Sequence, residues 1–385
     1  MARTALSAAR RILAGISVVL IAFLMTLTCV SCGSPSFTKD EVDNLNSVFD
    51  KGFSAAGTPG MAVGVWRDGV GSWIRTTGFA DTGTQQPFAP KDRFRIASIT
   101  KTFTGTLVLQ LVDEGSLKLE DTIDKYVGGI PDGDKITMRM LLNHTSGIYD
   151  CDDDPGLDAT ILAQPLKQWT PQEMVDIALK YPPYFPPGQG YHYSNTDSIL
   201  LGMVLEKVTG KKVEELFEGR IITKLGLRDT SFPIGPEIPG LHAHGYYEVD
   251  GKMKDVTVMN MSWDWTAGAM ISDLYDLKAW EKELTDPTLI SDRMQKERLK
   301  FVGEQEVAPG VTTGYGLAIG KLNAYLGHTG ADYGWTSLAY RWPQKGVTVV
   351  ILMNTLSDKT IGTISKLFVN LANVVAPASF PEQPL

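Results

Sequence analysis

The stretch Phe94 to Leu111, F-R-I-A-S-I-T-K-T-F-T-G-T-L-V-L-Q-L, constrains this chain more than any other. It sets Ser98 and Lys101 at the spacing S-x-x-K, ahead of apolar residues at Phe103, Leu107, Val108 and Leu111. That recurrence predicts a helix with one buried face. Residues three apart share a side of a helix, so the Ser98 hydroxyl can sit beside the Lys101 amine. A helix N-terminus also offers free backbone N–H groups that favour negative charge on a reacting oxygen. A serine hydroxyl attacks well only when a base takes its proton. An ordinary lysine, with a pKa of about 10.4, is no base at neutral pH. The reading therefore requires a pocket that lowers that value. A second S-x-x-K, Ser36 to Lys39, lies in a polar segment and is read as chance.

The 385 residues suffice for one large core or two interleaved domains. A net charge of −8 argues against nucleic acid as a partner. Arg3, Arg10 and Arg11 precede an apolar run, Ile12 to Thr28, and no acid precedes Cys32. A positive start, an apolar stretch and small residues make an export signal, read here as residues 1–32. Its end resembles a bacterial lipoprotein signal with Cys32 as the lipidated residue; Cys29 is the alternative. An uncleaved anchor helix is the plainer reading, because the run is near the ~17-residue lower limit for a span. Either way the expected location is the outer face of the cell membrane, with residues 33–40 as a tether. Cys151 is then the only cysteine left, so there is no disulfide framework. Among Asp150, Asp152, Asp153 and Asp154 its thiol should stay protonated, because carboxylates oppose a thiolate.

The rest of the chain reads as strands at both ends and helices between. Met61–Trp66 and Ser72–Ile74 flank Asp68-Gly69, a hairpin signal. Thr170-Pro-Gln-Glu173 carries a helix start with its capping box. Gly314 to Leu322, Gly334 to Trp342 and Val347 to Met353 read as strands, the last apolar enough to be central. Ile361 to Val375 reads as a closing helix. The expected fold is α+β: an antiparallel sheet built from both chain ends and flanked by helices. The expected domain is 41–385, with 115–292 a mainly helical insertion.

Two further short motifs follow the serine: Tyr193-Ser194-Asn195 and His328-Thr329-Gly330. The order S-x-x-K, Y-x-N, H-T-G resembles the serine β-lactamase and penicillin-binding protein superfamily. It is most similar to the branch of class C β-lactamases, D-alanyl-D-alanine carboxypeptidases and related esterases. Leu141-Leu-Asn-His-Thr-Ser-Gly-Ile148 and Ala267-Gly-Ala-Met-Ile-Ser272 carry the same resemblance. It implies a β-lactamase-like fold and Ser98 as a nucleophile that forms an acyl-enzyme. Lys101 and Tyr193 would move its proton, with the tyrosine pKa lowered between cationic or donating groups. Asn195 would hold the lysine and the substrate amide. Ala331 and Ser98 N–H groups would form the oxyanion hole. Thr329 would bind the substrate carboxylate or its neighbour, and Trp263 would form an aromatic wall. The resemblance implies peptidoglycan peptides as substrate and D-alanyl-D-alanine carboxypeptidase as the activity. Esterase, D-amino-acid amidase and β-lactamase are the alternatives on the same scaffold.

His328 stands where the β-lactamases carry lysine, and a histidine is largely neutral at pH 7. The carboxypeptidases carry an arginine directly after G-Y-G-L-x-x, where it grips the terminal carboxylate. Here that position is Gly320, and Lys321 follows one residue late, which on a regular strand points to the other face. No cofactor is expected. His242 and His244 lack a third metal ligand at a recognised spacing, and the Asp150–Asp154 run lacks the glycine and glutamate of a calcium loop. That run is read as a solvated acidic loop, His144 as a structural hydrogen-bonding residue. A non-catalytic cell-wall binding protein is the remaining alternative; it would need neither Lys101 nor Tyr193.

Overall fold

The computed structural model of the chain describes residues 36–249 and 251–381. The expected signal segment, with Cys29 and Cys32, lies outside the described residues. Thr38 caps helix α1 (Lys39–Ala56) in a capping box: its hydroxyl accepts from Glu41 N–H, and the Glu41 carboxylate accepts from Thr38 N–H. The Ser36-to-Lys39 copy of S-x-x-K is thus a helix start, and Lys39 pairs with Asp43 on the surface.

The main sheet has nine strands. Its first three are β1 (Gly60–Arg67), β2 (Gly71–Asp81) and β3 (Gln86–Pro87). The other six are β4 (Val302–Ala308), β5 (Val311–Tyr315), β6 (Gly320–Leu322), β7 (Tyr325–Asp332), β8 (Trp335–Trp342) and β9 (Val347–Met353). The spatial order is β3-β2-β1-β9-β8-β7-β6-β5-β4. Early β1 pairs antiparallel with late β9, Val63 opposite Ile351, so the two chain ends form one sheet. Every residue of β9 is buried, which matches its unbroken apolar run. The β1–β2 turn passes through Gly69 at φ 71°, a conformation open to glycine.

Helices cover both faces. On one, α1 and the closing helix α4 (Asp358–Val375) bury Leu45, Phe49, Leu367 and Phe368 against Ile351 and Met353. On the other, α2 (Thr100–Asp113) and the helix Leu274–Thr285 bury Phe103, Leu107 and Trp280 against Val350 and Leu352. Within 115–292 the regular elements, joined by long loops, are helices apart from the hairpin Tyr246–Val249 with Lys252–Asp255 and a two-residue strand. The Thr170 capping box forms as its sequence predicts.

Two expectations need correction. Helix α2 is buried on all sides from Thr100 to Val112, not on one face. Its threonines make this possible. Thr102, Thr104 and Thr106 donate to the carbonyls of Ile99, Thr266 and Thr102, so no hydroxyl is stranded. The stretch Gly314–Leu322 is two strands, not one. A turn closed by Gly316 N–H to Ile319 C=O at 2.8 Å, with Ala318 at φ 55°, separates β5 from β6.

Candidate active site

Ser98 lies in a single 3₁₀ turn, Ala97–Ile99, which runs straight into α2. The turn is pinned on both sides. Ile96 N–H donates to Met270 C=O at 3.0 Å, and the Ser337 hydroxyl donates to Ile96 C=O at 2.9 Å. Ala97 is held at φ 48°, a strained backbone for a residue with a Cβ. Strand β7 lies directly against this turn. A Cβ at Gly330 would stand 2.3 Å from Ile96 O and 3.1 Å from the Ala97 Cβ. The glycine of H-T-G is therefore a close-approach residue. It brings Ala331, exposed on the same strand, beside the serine turn.

Lys101 is 1 % exposed, and its ammonium donates three hydrogen bonds. The acceptors are Ser98 Oγ at 3.0 Å, Ala267 C=O at 2.9 Å and Asn195 Oδ1. Three donors meet three acceptors, which is the full capacity of an ammonium. Burial alone would lower the lysine pKa. Tyr193, Asp264 and Asp150 together outweigh burial and raise it above the ordinary value. This corrects the expected depressed lysine. The tyrosine is corrected in the same direction: burial pushes the Tyr193 phenol up, although Lys101 and Ser98 pull it down. The resting site is thus an ammonium beside a neutral phenol. The Tyr193 oxygen is buried near Lys101 and Ser98 but makes no well-aligned hydrogen bond with either. The Lys101 ammonium also lies 4.8 Å from the centre of the Tyr193 ring.

Asn195 opens helix α3 (Asn195–Thr209). Its Oδ1 accepts from Lys101, as expected, but its Nδ2 donates to the Asp152 carboxylate and its backbone N–H to Asp150 Oδ1. The lysine half of its expected role is in place, and Asp152 takes one of the two amide N–H groups, leaving one for a substrate. The acidic run is accordingly solvated only in its second part: Asp153 is exposed and Asp154 half-buried, whereas Asp150 and Asp152 turn into the site. Asp150 is 6 % exposed and Asp152 turns inward onto Asn195. Burial pushes Asp150 and Asp152 up to about 7 and Asp264 up to about 6. Cys151 between them is buried and free, its thiol pushed well up by burial and by Asp152.

His328 on β7 is 5 % exposed and fixed in one tautomer. Its Nδ1–H donates to Thr329 C=O at 2.5 Å, and its Nε2 accepts from the Tyr315 hydroxyl at 2.9 Å. Burial, then the Lys101 charge, lowers its pKa to about 3, so it is neutral. Tyr315 is a site residue that sequence reasoning missed. Its signal was only the G-Y-G at the end of β5.

His328, Thr329, Tyr315, Tyr191 and Tyr193 line a cleft of about 200 Å³, together with Gly320 and Lys321. The register from β5 through β6 to β7 carries no bulge: Gly320 pairs with Tyr315 and Gly327, Lys321 with Gly314 and Leu326. Lys321 is ion-paired with Glu304 at 2.5 Å and lies over the Phe301 ring. Trp263 does not line this cleft. It is 7 % exposed and packs edge-on against Tyr333, because an indole gains more from burial than from a wet wall. His242 and His244 stack at 5.4 Å, and among the described residues they belong to no set of three or more ligands that could hold a metal.

The arrangement offers a hydroxyl, an ammonium and a phenol in one buried cluster, beside a neutral cleft. Known proteins resemble the chain that carries it. Residues 45–370 match the model of the Beta-lactamase family. A crystal structure of a D-stereospecific amidohydrolase from Streptomyces sp. is 34 % identical. It covers 83 % of this chain and 97 % of its own, with a TM-score of 0.74. The D-amino acid amidase from Ochrobactrum anthropi is 25 % identical, covering 87 % of this chain and 98 % of its own at a TM-score of 0.77. Penicillin-binding protein 4* of Bacillus subtilis is 24 % identical over 309 residues, which are 73 % of this chain. The match spans 65 % of that relative's own length. The chain belongs to the β-lactamase family and is a serine hydrolase of the superfamily that joins the serine β-lactamases to the penicillin-binding proteins.

Proposed function

We propose that the protein hydrolyses amides or esters whose leaving group carries no carboxylate, in the manner of a D-amino-acid amidase. One observation carries this reading. The cleft beside Thr329 presents no unpaired cation among the described residues, because His328 is neutral and Lys321 is tied to Glu304. A terminal carboxylate placed there would lose its water without gaining a charge partner, which costs several kcal/mol. The two amidase structures support the same reading.

In this proposal the Lys101–Tyr193 pair first loses one proton to solvent, and Ser98 Oγ then attacks the acyl carbon while its own proton passes to the pair. The backbone N–H groups of Ser98 and Ala331 receive the oxyanion. The C–N or C–O bond then breaks, and the pair returns the proton to the leaving amine or alcohol. Water attacks the acyl-serine by the reverse proton route and releases the acid.

The second reading is a D-alanyl-D-alanine carboxypeptidase. It is favoured by the likeness to a penicillin-binding protein and by Lys321, which lines the cleft and could leave Glu304 for a substrate. A panel of D-amino-acid amides, short nitrophenyl esters and a peptide ending in D-alanyl-D-alanine separates the two. We expect turnover of the first two and little release of D-alanine, with all turnover lost in Ser98→Ala. D-alanine release faster than amide turnover would select the second reading. Full activity in Ser98→Ala would remove both. We also propose lipidation at Cys32 and tethering to the outer face of the membrane; Cys32→Ser should then release the protein from the membrane fraction.

A further inference from the structure

Tyr193 poses a problem of aim. Its oxygen lies beside Lys101 and Ser98 without a well-aligned hydrogen bond to either, so that end alone holds the phenol loosely. Its direction must be set from the ring and from the backbone on either side. Both are held by His144. The His144 carbonyl accepts from His192 N–H at 3.0 Å, and its ring Nδ1 faces Ser194 N–H at 3.4 Å. These are the N–H groups of the residues on either side of Tyr193. The His144 ring then packs against the Tyr193 ring at 4.6 Å and the Tyr315 ring at 4.7 Å. The same Nδ1 meets Asp197 Oδ2 at 3.2 Å, and Ser146 donates to the other oxygen of that carboxyl at 2.6 Å. His144 itself sits at φ 58°, in the left-handed region that few residues with a Cβ adopt and histidine enters more readily than most.

We infer that His144 is the positioning residue of this site: it clamps Tyr193 from three sides and aims the phenol at Ser98 and Lys101. The inference rests on the catalytic reading of Tyr193. It goes beyond that reading because His144 touches neither the substrate cleft nor Lys101. The left-handed turn at His144 lets one residue present its carbonyl and its ring to the same segment. A loss of aim of about an ångström costs up to ~100-fold in rate.

His144→Asn makes the test. Asparagine tolerates positive φ, keeps the carbonyl, and puts an acceptor near the place of Nδ1; only the ring is lost. The measurement is kcat and KM for a nitrophenyl ester in His144→Asn, Tyr193→Phe and the double variant. We expect kcat to fall roughly 10- to 100-fold in His144→Asn with KM little changed. We expect the double variant to be no slower than Tyr193→Phe alone, because a positioning residue has nothing left to position. Equal extra losses in both backgrounds would overturn the inference and leave His144 as general support. An unchanged kcat in His144→Asn overturns it too. Full activity in Tyr193→Phe is a different failure: it removes the catalytic reading itself and the inference with it. If His144→Asn does not fold, Asp197→Ala removes the carboxyl that meets Nδ1, and the same comparison with Tyr193→Phe applies.

Discussion

At the scale of single residues, the site is assembled with its proton in the wrong place for attack. Lys101 donates to Ser98 rather than accepting from it, and its pKa is raised, as is that of Tyr193. At pH 7 the pair carries both protons in nearly all molecules. One must leave before the pair can serve as base. The reactive fraction therefore grows about tenfold per pH unit until the lower of the two raised values is reached. We expect log kcat/KM to climb with a slope near one across pH 6 to 9. A flat profile between pH 6 and 8 would show that some other group takes the serine proton. The residues themselves were legible in the sequence: Ser98, Lys101, Tyr193, Asn195 and His328 lie in one cluster. Their protonation was not. The carboxyls that raise Lys101 come from the 150–152 turn and from Asp264, a separate part of the chain, and no spacing rule links them.

At the scale of elements, two contacts have different jobs and should fail differently. Trp280 is fully buried, stacks on Phe103 of α2 at 3.7 Å between ring centres, and donates to the Thr102 hydroxyl at 2.8 Å. Trp280→Ala should cost about 3–5 kcal/mol of stability. The molecules that remain folded should turn over nearly as before, since Trp280 holds the far side of α2. Gly330→Val should do the reverse. Its Cβ would meet Ile96 O at 2.3 Å and push β7 off the serine turn. We expect kcat to fall at least ~100-fold, since the oxyanion groups of Ser98 and Ala331 would separate. Thermal melting and ester turnover, measured together on both variants, distinguish the cases; equal kcat losses in the two would refute the division. The strands and capped helices that frame these contacts followed from period and turn residues. The all-round burial of α2 did not, because threonine reads as polar until its carbonyl partner is known.

At the scale of the whole molecule, the sheet brings the chain ends together while the helical half delivers carboxyls to the same pocket. The topology was readable because strands at both ends must pair somewhere. The cost of the charge cluster was not, because Asp150 and Asp152 look like a surface run until α3 places Asn195 over them. That cost has a sign. Burial, with repulsion from Asp264 and relief from Lys101, pushes Asp152 up to about 7, against ~3.9 in an unfolded chain. Between those values the folded protein binds more protons than the unfolded one. The contribution to stability is then full below pH 4 and is lost as pH rises through 7. Asp152→Asn removes the titrating group and can still accept from Asn195 through its amide oxygen. We expect the melting temperature of the wild type to fall more steeply between pH 5 and 8 than that of Asp152→Asn, and the variant to be the more stable of the two at pH 8. Parallel curves would mean that this carboxyl ionises in the fold as freely as in water, and that the pocket around Lys101 is wetter than its burial implies.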